Sequence, residues 1–341
     1  MNNTTKYLLE APASQKAVHA AIAPIFTLLG LVGNSLLISA FFVTKKLRTS
    51  TNTFILMVSV SDLVLILLML SSKISITVLQ KRNTVVLERD TLCFSLTMVA
   101  YISYGVSVYG QGAIAINRYF KICHHNRYPK IYTKRNVLLI CVGIWIYSIC
   151  LIFGIAFGGR CFFTFDGLIC RIDPTQKTPC VYLVIAFGIL IPTFTIFGFY
   201  FKIFITIRAT SLKVNRGEKI DAKTKKAIIS LFTAFVLMVI LFWPYAIVAA
   251  IDSNIHTRGV GIAMRYAVIW TYLSTGTNPI VYGIMNTTFR EGYKNVLCCC
   301  CRKIRKSKIS LPLADANSST SGATRSSGKS SDSNATTKTS I

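Results

Sequence analysis

Charged side chains are scarce in this chain. They make up 15% of its 341 residues, against roughly 25% in soluble globular domains. That scarcity argues against a water-soluble enzyme. Acids are scarcer still, 12 against 38 Lys and Arg, for a formal net charge of +26. Histidine occurs only as His19, His124, His125 and His256. These lie far from most cysteines, so no spacing suits a zinc site. Residues 1–17 lack the apolar core and small-residue exit of a cleavable signal peptide. The two halves of the chain do not correspond, as the paired repeats of a transporter would.

Apolar residues are abundant: 52% of the chain, with a mean hydropathy of +0.54. That excludes disorder over most of the length. A bilayer-crossing helix needs roughly 20 largely apolar residues. Seven stretches qualify, at 18–43, 54–80, 91–119, 137–158, 180–207, 227–251 and 262–285. The third and seventh are the least apolar, which places them in a bundle interior. The cations sit between apolar blocks rather than on a polar fold, so the expected partner is a bilayer and not nucleic acid. Segments 44–53, 118–136, 202–226 and the chain from 286 hold 27 of the 38 cations. By the positive-inside rule these are cytoplasmic and the N-terminus is outside, at the plasma membrane. Asn2 and Asn3 each begin a glycosylation sequon on that outer side.

The expected fold is an all-α membrane protein, a seven-transmembrane helix bundle with a short amphipathic eighth helix. Its divisions are an extracellular N-terminus (1–17), the bundle (18–285), the interfacial helix (286–298) and a disordered cytoplasmic tail (299–341). In the eighth helix Phe289, Tyr293, Val296 and Leu297 fall on one face, suited to lying on the inner leaflet. Cys298, Cys299, Cys300 and Cys301 follow, then a basic cluster. Acylation plus that cluster makes a two-signal anchor to membrane lipids. The last residues, Thr339-Ser340-Ile341, match the pattern of a PDZ-domain ligand.

Polar residues inside membrane helices mark function by default. Counted from the inner helix ends at the helical rise, Asp62 lies roughly 13 Å deep, Asn278 roughly 10 Å and Ser107 roughly 16 Å. With Asn34 and Ser274 they form one layer, a hard-cation site suited to sodium or a water network. Apart from that ion, no cofactor and no other metal is expected. Cys93, Cys161, Cys170 and Cys180 lie toward the oxidising side, and four cysteines allow three pairings. Pro192, Pro244 and Pro279 interrupt the fifth, sixth and seventh stretches and provide kinks.

These residues resemble the rhodopsin-like (class A) G-protein-coupled receptors. The resemblance runs through Gly33-Asn34, Ser59 to Leu63, Cys93, Asn117-Arg118-Tyr119, Trp145, Cys170, Pro192 with Tyr200, Trp243-Pro244 and Asn278-Pro279-Ile280-Val281-Tyr282. Within the class, Ala115 to His124, then Tyr128, Lys130 and Tyr132, and Val281 to Asn286 are similar to the melatonin receptors. The resemblance implies a receptor, not an enzyme. It implies activation of heterotrimeric G proteins through Asn117, Arg118, Tyr119, Tyr200, Phe242, Trp243, Pro244, Asn278, Pro279 and Tyr282. It also implies a Cys93–Cys170 disulfide, and arrestin and receptor kinases as partners at the tail.

Departures from the family narrow the ligand. Gly188 and Ile155 stand where melatonin receptors carry their ligand-binding His and Asn, which argues against melatonin itself. Ala100 stands where amine receptors carry an Asp, and Tyr272 where opsins carry their Lys. Phe242 occupies the usual toggle-Trp position, Met238 that of a Phe, and Thr224 that of an acid facing Arg118. With Asn117 in place of the usual Asp, Arg118 lacks both common acidic restraints, so a weakly held inactive state is expected. Candidate pocket residues are Ala100, Tyr101, Tyr104, Gly188, Phe242, Tyr245, Ala249, Val268 and Tyr272, suited to a neutral or aromatic small molecule. Lys73 and Arg265 are rim cations, placed to snorkel or to bind a carboxylate. The alternatives are a short peptide or a lipid as ligand, or a membrane transporter.

Overall fold

The computed structural model describes residues 13–81, 86–165, 170–173, 179–212, 222–252 and 257–309. Its long helices are α1 (Ala13–Val43), α2 (Ser50–Lys81), α3 (Val86–Cys123) and α4 (Lys134–Gly158). They continue with α5 (Cys180–Ile185, Ala186–Leu190 and Ile191–Leu212), α6 (Ala222–Asp252), α7 (Arg258–Met285) and α8 (Thr287–Ile309). A short helical turn, Tyr128–Ile131, precedes α4. The loop after α4 adds two strands to the all-helical expectation. β1 (Phe163–Phe165) pairs antiparallel with β2 (Cys170–Ile172), Phe163 opposite Ile172.

Among the described residues six helices, α1 to α6, are long and apolar enough to cross a membrane. The seventh, α7, falls short because Thr271, Ser274, Thr275, Thr277 and Asn278 are buried along it. Its four hydroxyls each donate to the carbonyl three residues earlier, at 2.7–2.8 Å, so none is stranded. The outside is apolar: Ile146, Phe153 and Phe157 on α4 and Phe194, Phe197 and Phe201 on α5 are exposed. Lipid is the solvent in which that surface carries no penalty.

Proline and glycine set the close contacts. Pro279 has no N–H, which leaves the Thr275 carbonyl without its helical donor. Asn34 Nδ2 of α1 fills that role at 2.9 Å while also donating to Gly30 at 2.8 Å. The approach needs small residues. A Cβ on Gly33 would lie 2.8 Å from Pro279 Cγ. Before Pro192 the chain widens into the π-helical turn Ala186–Leu190. There the Tyr109 hydroxyl donates to the Phe187 carbonyl at 2.7 Å.

Two disulfides secure one end of the bundle, Cys93–Cys170 and Cys161–Cys180. The first ties β2 to α3, as the resemblance implied. The second chooses among the pairings that the sequence left open and ties the exit of α4 to the start of α5.

Two boundaries differ from expectation. Helix α1 begins at Ala13 rather than residue 18, because Gln15 and His19 are buried against α7. Helix α8 runs to Ile309 rather than 298, and its sequence has no proline before Pro312. Its apolar face also points elsewhere than expected. Phe289 is fully buried in the bundle core, with Tyr293 and Val296 packed against it, and only Leu297 is exposed. Cys298 is exposed. Asn2, Asn3, the side chains of Cys299, Cys300 and Cys301, and the tail from 310 with Thr339-Ser340-Ile341 lie outside the described residues.

Candidate functional site

At the end opposite the disulfides, α3 presents Asn117-Arg118-Tyr119. Asn117 is fully buried. Its Oδ1 accepts from Thr51 Oγ1 of α2 at 2.5 Å, and its Nδ2 donates to the Tyr128 hydroxyl at 3.4 Å. Tyr128 stacks on Tyr132, with ring centroids 5.1 Å apart. Burial, and then the neighbouring Tyr128, push the Tyr132 phenol up to about 12, so this turn carries no proton switch near neutrality. Arg118 is buried, within electrostatic reach of Tyr200, Tyr128 and Tyr282. Among the described residues no carboxylate pairs with it, and its Nε has no partner. Tyr119 packs edge-on against Phe199 and Phe120. Tyr200 and Tyr282 are both 2% exposed. The structure thus brings Arg118, Tyr200 and Tyr282 together with Tyr128, and among the described residues no acid pairs with the guanidinium.

Midway through the bundle, Asn278 Nδ2 donates to Asp62 Oδ2 at 3.1 Å, and Ser107 faces the same carboxylate. Asn278 Oδ1 has no partner. The other two expected members go elsewhere. Asn34 Nδ2 donates to the Thr275 carbonyl while its Oδ1 has no partner, and Ser274 donates to Thr271 within its own helix. Above this layer Phe242 stacks on Tyr104, centroids 3.8 Å apart. Trp243 is half-buried with Nε1 unpartnered, and Pro244 faces outward. The Met238 thioether Sδ accepts from Gln111 Nε2 at 3.1 Å.

At the disulfide-bearing end a narrow cavity of about 400 Å³, its open mouth included, lies between the hairpin, α3, α5, α6 and α7. Tyr101, Tyr245 and Ala249, all expected pocket residues, line it, with Ile172, Val181, Val184, Ile185, Ile189, Asp252 and Met264. The Tyr101 and Tyr245 hydroxyls are 2.9 Å apart. Ala100, Tyr104, Gly188, Phe242, Val268 and Tyr272 do not line this cavity. Tyr104 and Phe242 pack elsewhere as the stacked pair, and Gly188 is buried in the π turn.

The sequence reading missed a buried ion pair here. Arg171 Nη1 of β2 donates to Asp252 Oδ2 of α6, and both side chains are 2% exposed. A lone acid at the end of an apolar stretch was the available signal. Arg265 is also corrected. It is buried, and its Nη1 donates to Gln15 Oε1 at 3.1 Å while His19 Nε2 donates to its carbonyl at 2.9 Å. It joins α7 to α1 and does not snorkel. The Lys73 side chain lies outside the described residues.

A seven-helix bundle with a buried arginine among tyrosines at one end and a lined pocket at the other is the architecture of a membrane receptor. The sequence profile of the 7 transmembrane receptor (rhodopsin family) matches residues 33–282. The chain belongs to that family and is a multi-pass membrane protein. It is 27% identical over 295 residues to melatonin receptor type 1A of Mus musculus, covering 81% of this chain and 79% of that one. It is 25% identical over 294 residues to melatonin receptor type 1B-B of Danio rerio, covering 84% and 83%. Somatostatin receptor type 1 of Rattus norvegicus is 25% identical over 285 residues, covering 81% and 71%. The crystal structure of squid rhodopsin superposes with a TM-score of 0.70 at 20% identity, covering 93% of this chain and 97% of that one. It shares the fold. The family match argues against the transporter alternative.

Proposed function

We propose that this receptor binds an extracellular small molecule in the cavity at the disulfide-bearing end and activates heterotrimeric G proteins at the Arg118 end. The N-terminus is extracellular in this reading, and the protein sits in the plasma membrane. The observation that carries it is Arg118, buried beside Tyr200, Tyr128 and Tyr282 and, among the described residues, paired with no carboxylate. A guanidinium held that way is ready for the carbonyl end of a partner helix once α6 moves aside. Ligand binding shifts a two-state bundle, and moving it from 1:99 to 99:1 takes about 5.5 kcal/mol of differential affinity. The related receptors above are named for melatonin and for somatostatin, and the narrow cavity favours a small ligand here.

Sodium belongs to this proposal as an allosteric ion. The buried Asp62 carboxylate and the unpartnered Asn278 Oδ1 supply the hard oxygen donors such an ion takes. Acylation at Cys298 to Cys301, glycosylation at Asn2 and Asn3, and arrestin, kinase and PDZ partners at the tail complete it. The test is nucleotide exchange by purified receptor and a G-protein panel. Ligand-free wild type accelerates exchange on at least one member, and Arg118→Ala abolishes it. Exchange that never exceeds the receptor-free rate, or that survives Arg118→Ala, refutes the reading.

A further inference from the structure

Helix α6 reaches the disulfide-bearing end at its last residue, Asp252. There its carboxylate meets Arg171 of the hairpin, and both side chains are 2% exposed. The hairpin beneath Arg171 is held from several sides. The preceding residue, Cys170, is bonded to Cys93 of α3, and Cys161–Cys180 encloses the whole hairpin in a covalent loop. The following residue, Ile172, is buried in one cluster with Ile155 of α4 and Val181 of α5. Nearer the middle of α6, Phe242 and Tyr245 flank Pro244 and rest on α3. Phe242 stacks on Tyr104, and the Tyr245 hydroxyl meets that of Tyr101 at 2.9 Å. These two contacts make a fulcrum. Asp252 stands eight residues beyond Pro244 and Ala222 twenty-two before it, arms of roughly 12 Å and 33 Å at the helical rise. A shift of the outer end is thus magnified roughly threefold at the inner end of a straight rod. The inner end is shut in this structure, with Tyr200 and Tyr282 beside Arg118 both 2% exposed.

We propose that the Arg171–Asp252 pair is an autoinhibitory clamp: it fixes the outer end of α6 to the hairpin and thereby keeps the inner end closed at Arg118. The clamp rests on the receptor reading above and acts on the same movement of α6. Stability does not account for the pair, because well-packed apolar residues in place of a buried ion pair often hold a fold equally well. What they do not hold is position. Apolar side chains slide over one another, while a guanidinium donates along fixed directions. Opening at the Arg118 end then has two routes. Either α6 bends at Pro244 with its outer arm fixed, or the pair releases and the helix tilts as a rod. The clamp closes the second route. Among the described residues no acid pairs with Arg118, so this restraint stands at the opposite end of the helix that has to move.

The experiment reads ligand-free nucleotide exchange by the full-chain receptor in detergent, on the G protein that wild type activates, with Tm recorded for every variant. Arg171→Met made together with Asp252→Leu leaves no buried charge alone and opens the clamp. It raises exchange about fivefold or more, the lower end of coupling between distant sites. Adding Arg118→Ala returns that exchange to the receptor-free rate. Arg171→Lys keeps the charge but gives up the planar fork, so it separates position from charge. It raises exchange above wild type by less than the double variant does, and it carries the test alone if the double variant does not fold. Exchange at or below wild type in either folded variant, or a gain that survives Arg118→Ala, overturns the clamp. Wild-type exchange that depends on Arg118 then leaves the receptor reading standing, whereas exchange that never exceeds the receptor-free rate removes both.

Discussion

Asn117 holds Thr51 and Tyr128 with a neutral amide, and this one residue sets the charge next to Arg118 at the end opposite the disulfides. An aspartate there would place a carboxylate beside Arg118. Asn117→Asp is therefore expected to lower ligand-free nucleotide exchange several-fold, measured on the same G protein as wild type. Asn117→Ala strands two buried partners instead, at about 1–3 kcal/mol for each group left unmade. A fall of several degrees in Tm in detergent checks it. Asp62 makes the complementary case. If its carboxylate with Asn278 holds sodium, replacing K⁺ by Na⁺ lowers ligand-free exchange in wild type and has no effect in Asp62→Ala. Equal sodium sensitivity in both proteins would remove the ion from the proposal.

The helices are shaped by where a backbone group goes unpaired. Pro279 frees the Thr275 carbonyl and Asn34 takes it. The π turn before Pro192 has its Phe187 carbonyl taken by Tyr109. Both are cross-helix bonds replacing intrahelical ones, so each kink is also a joint between neighbours. Helix α8 is docked in the same way. Tyr293 donates to the Pro279 carbonyl at 3.0 Å, and a Cβ on Gly283 would come within 2.8 Å of its ring. Tyr293→Phe should cost about 1 kcal/mol, one net hydrogen bond. Gly283→Ala should cost more, because it displaces the ring as well as the bond. Tm values for the two variants, ranked in that order, are the expected result.

The two ends of the molecule are linked through α6, which carries Asp252 at one end. Cys93–Cys170 pins β2 to α3, and the next residue along, Arg171, grips Asp252. The hairpin thus joins α3 and α6 at the disulfide-bearing end. Removing one partner leaves a buried charge uncompensated, at about 3–5 kcal/mol, whereas replacing both with apolar residues is often close to neutral. Arg171→Met and Asp252→Leu made singly should each lower Tm more than the double variant does. A double variant as unstable as the sum of the singles would mean that the two residues act independently.

Seven apolar stretches, the asymmetry of the cations and the order of the short motifs are one-dimensional signals, and they were enough for the bundle and for the family. They also sufficed for Asp62 with Asn278 and for the Arg118 cluster, because depth along a helix follows from residue count. Pairings across helices follow from rotation about each axis and from the path of the loops, and spacing holds neither. Hence Asn34, expected in one layer with Asp62, gives its Nδ2 to the Thr275 carbonyl, and Arg265, expected as a rim cation, donates to Gln15. The Arg171–Asp252 pair joins residues 81 apart, a contact that exists only because the hairpin folds over the bundle. Chain chemistry sufficed for the membrane helices and the family. Packing alone decided which polar groups face the cavity, since a buried polar atom takes whichever partner the neighbouring helix presents.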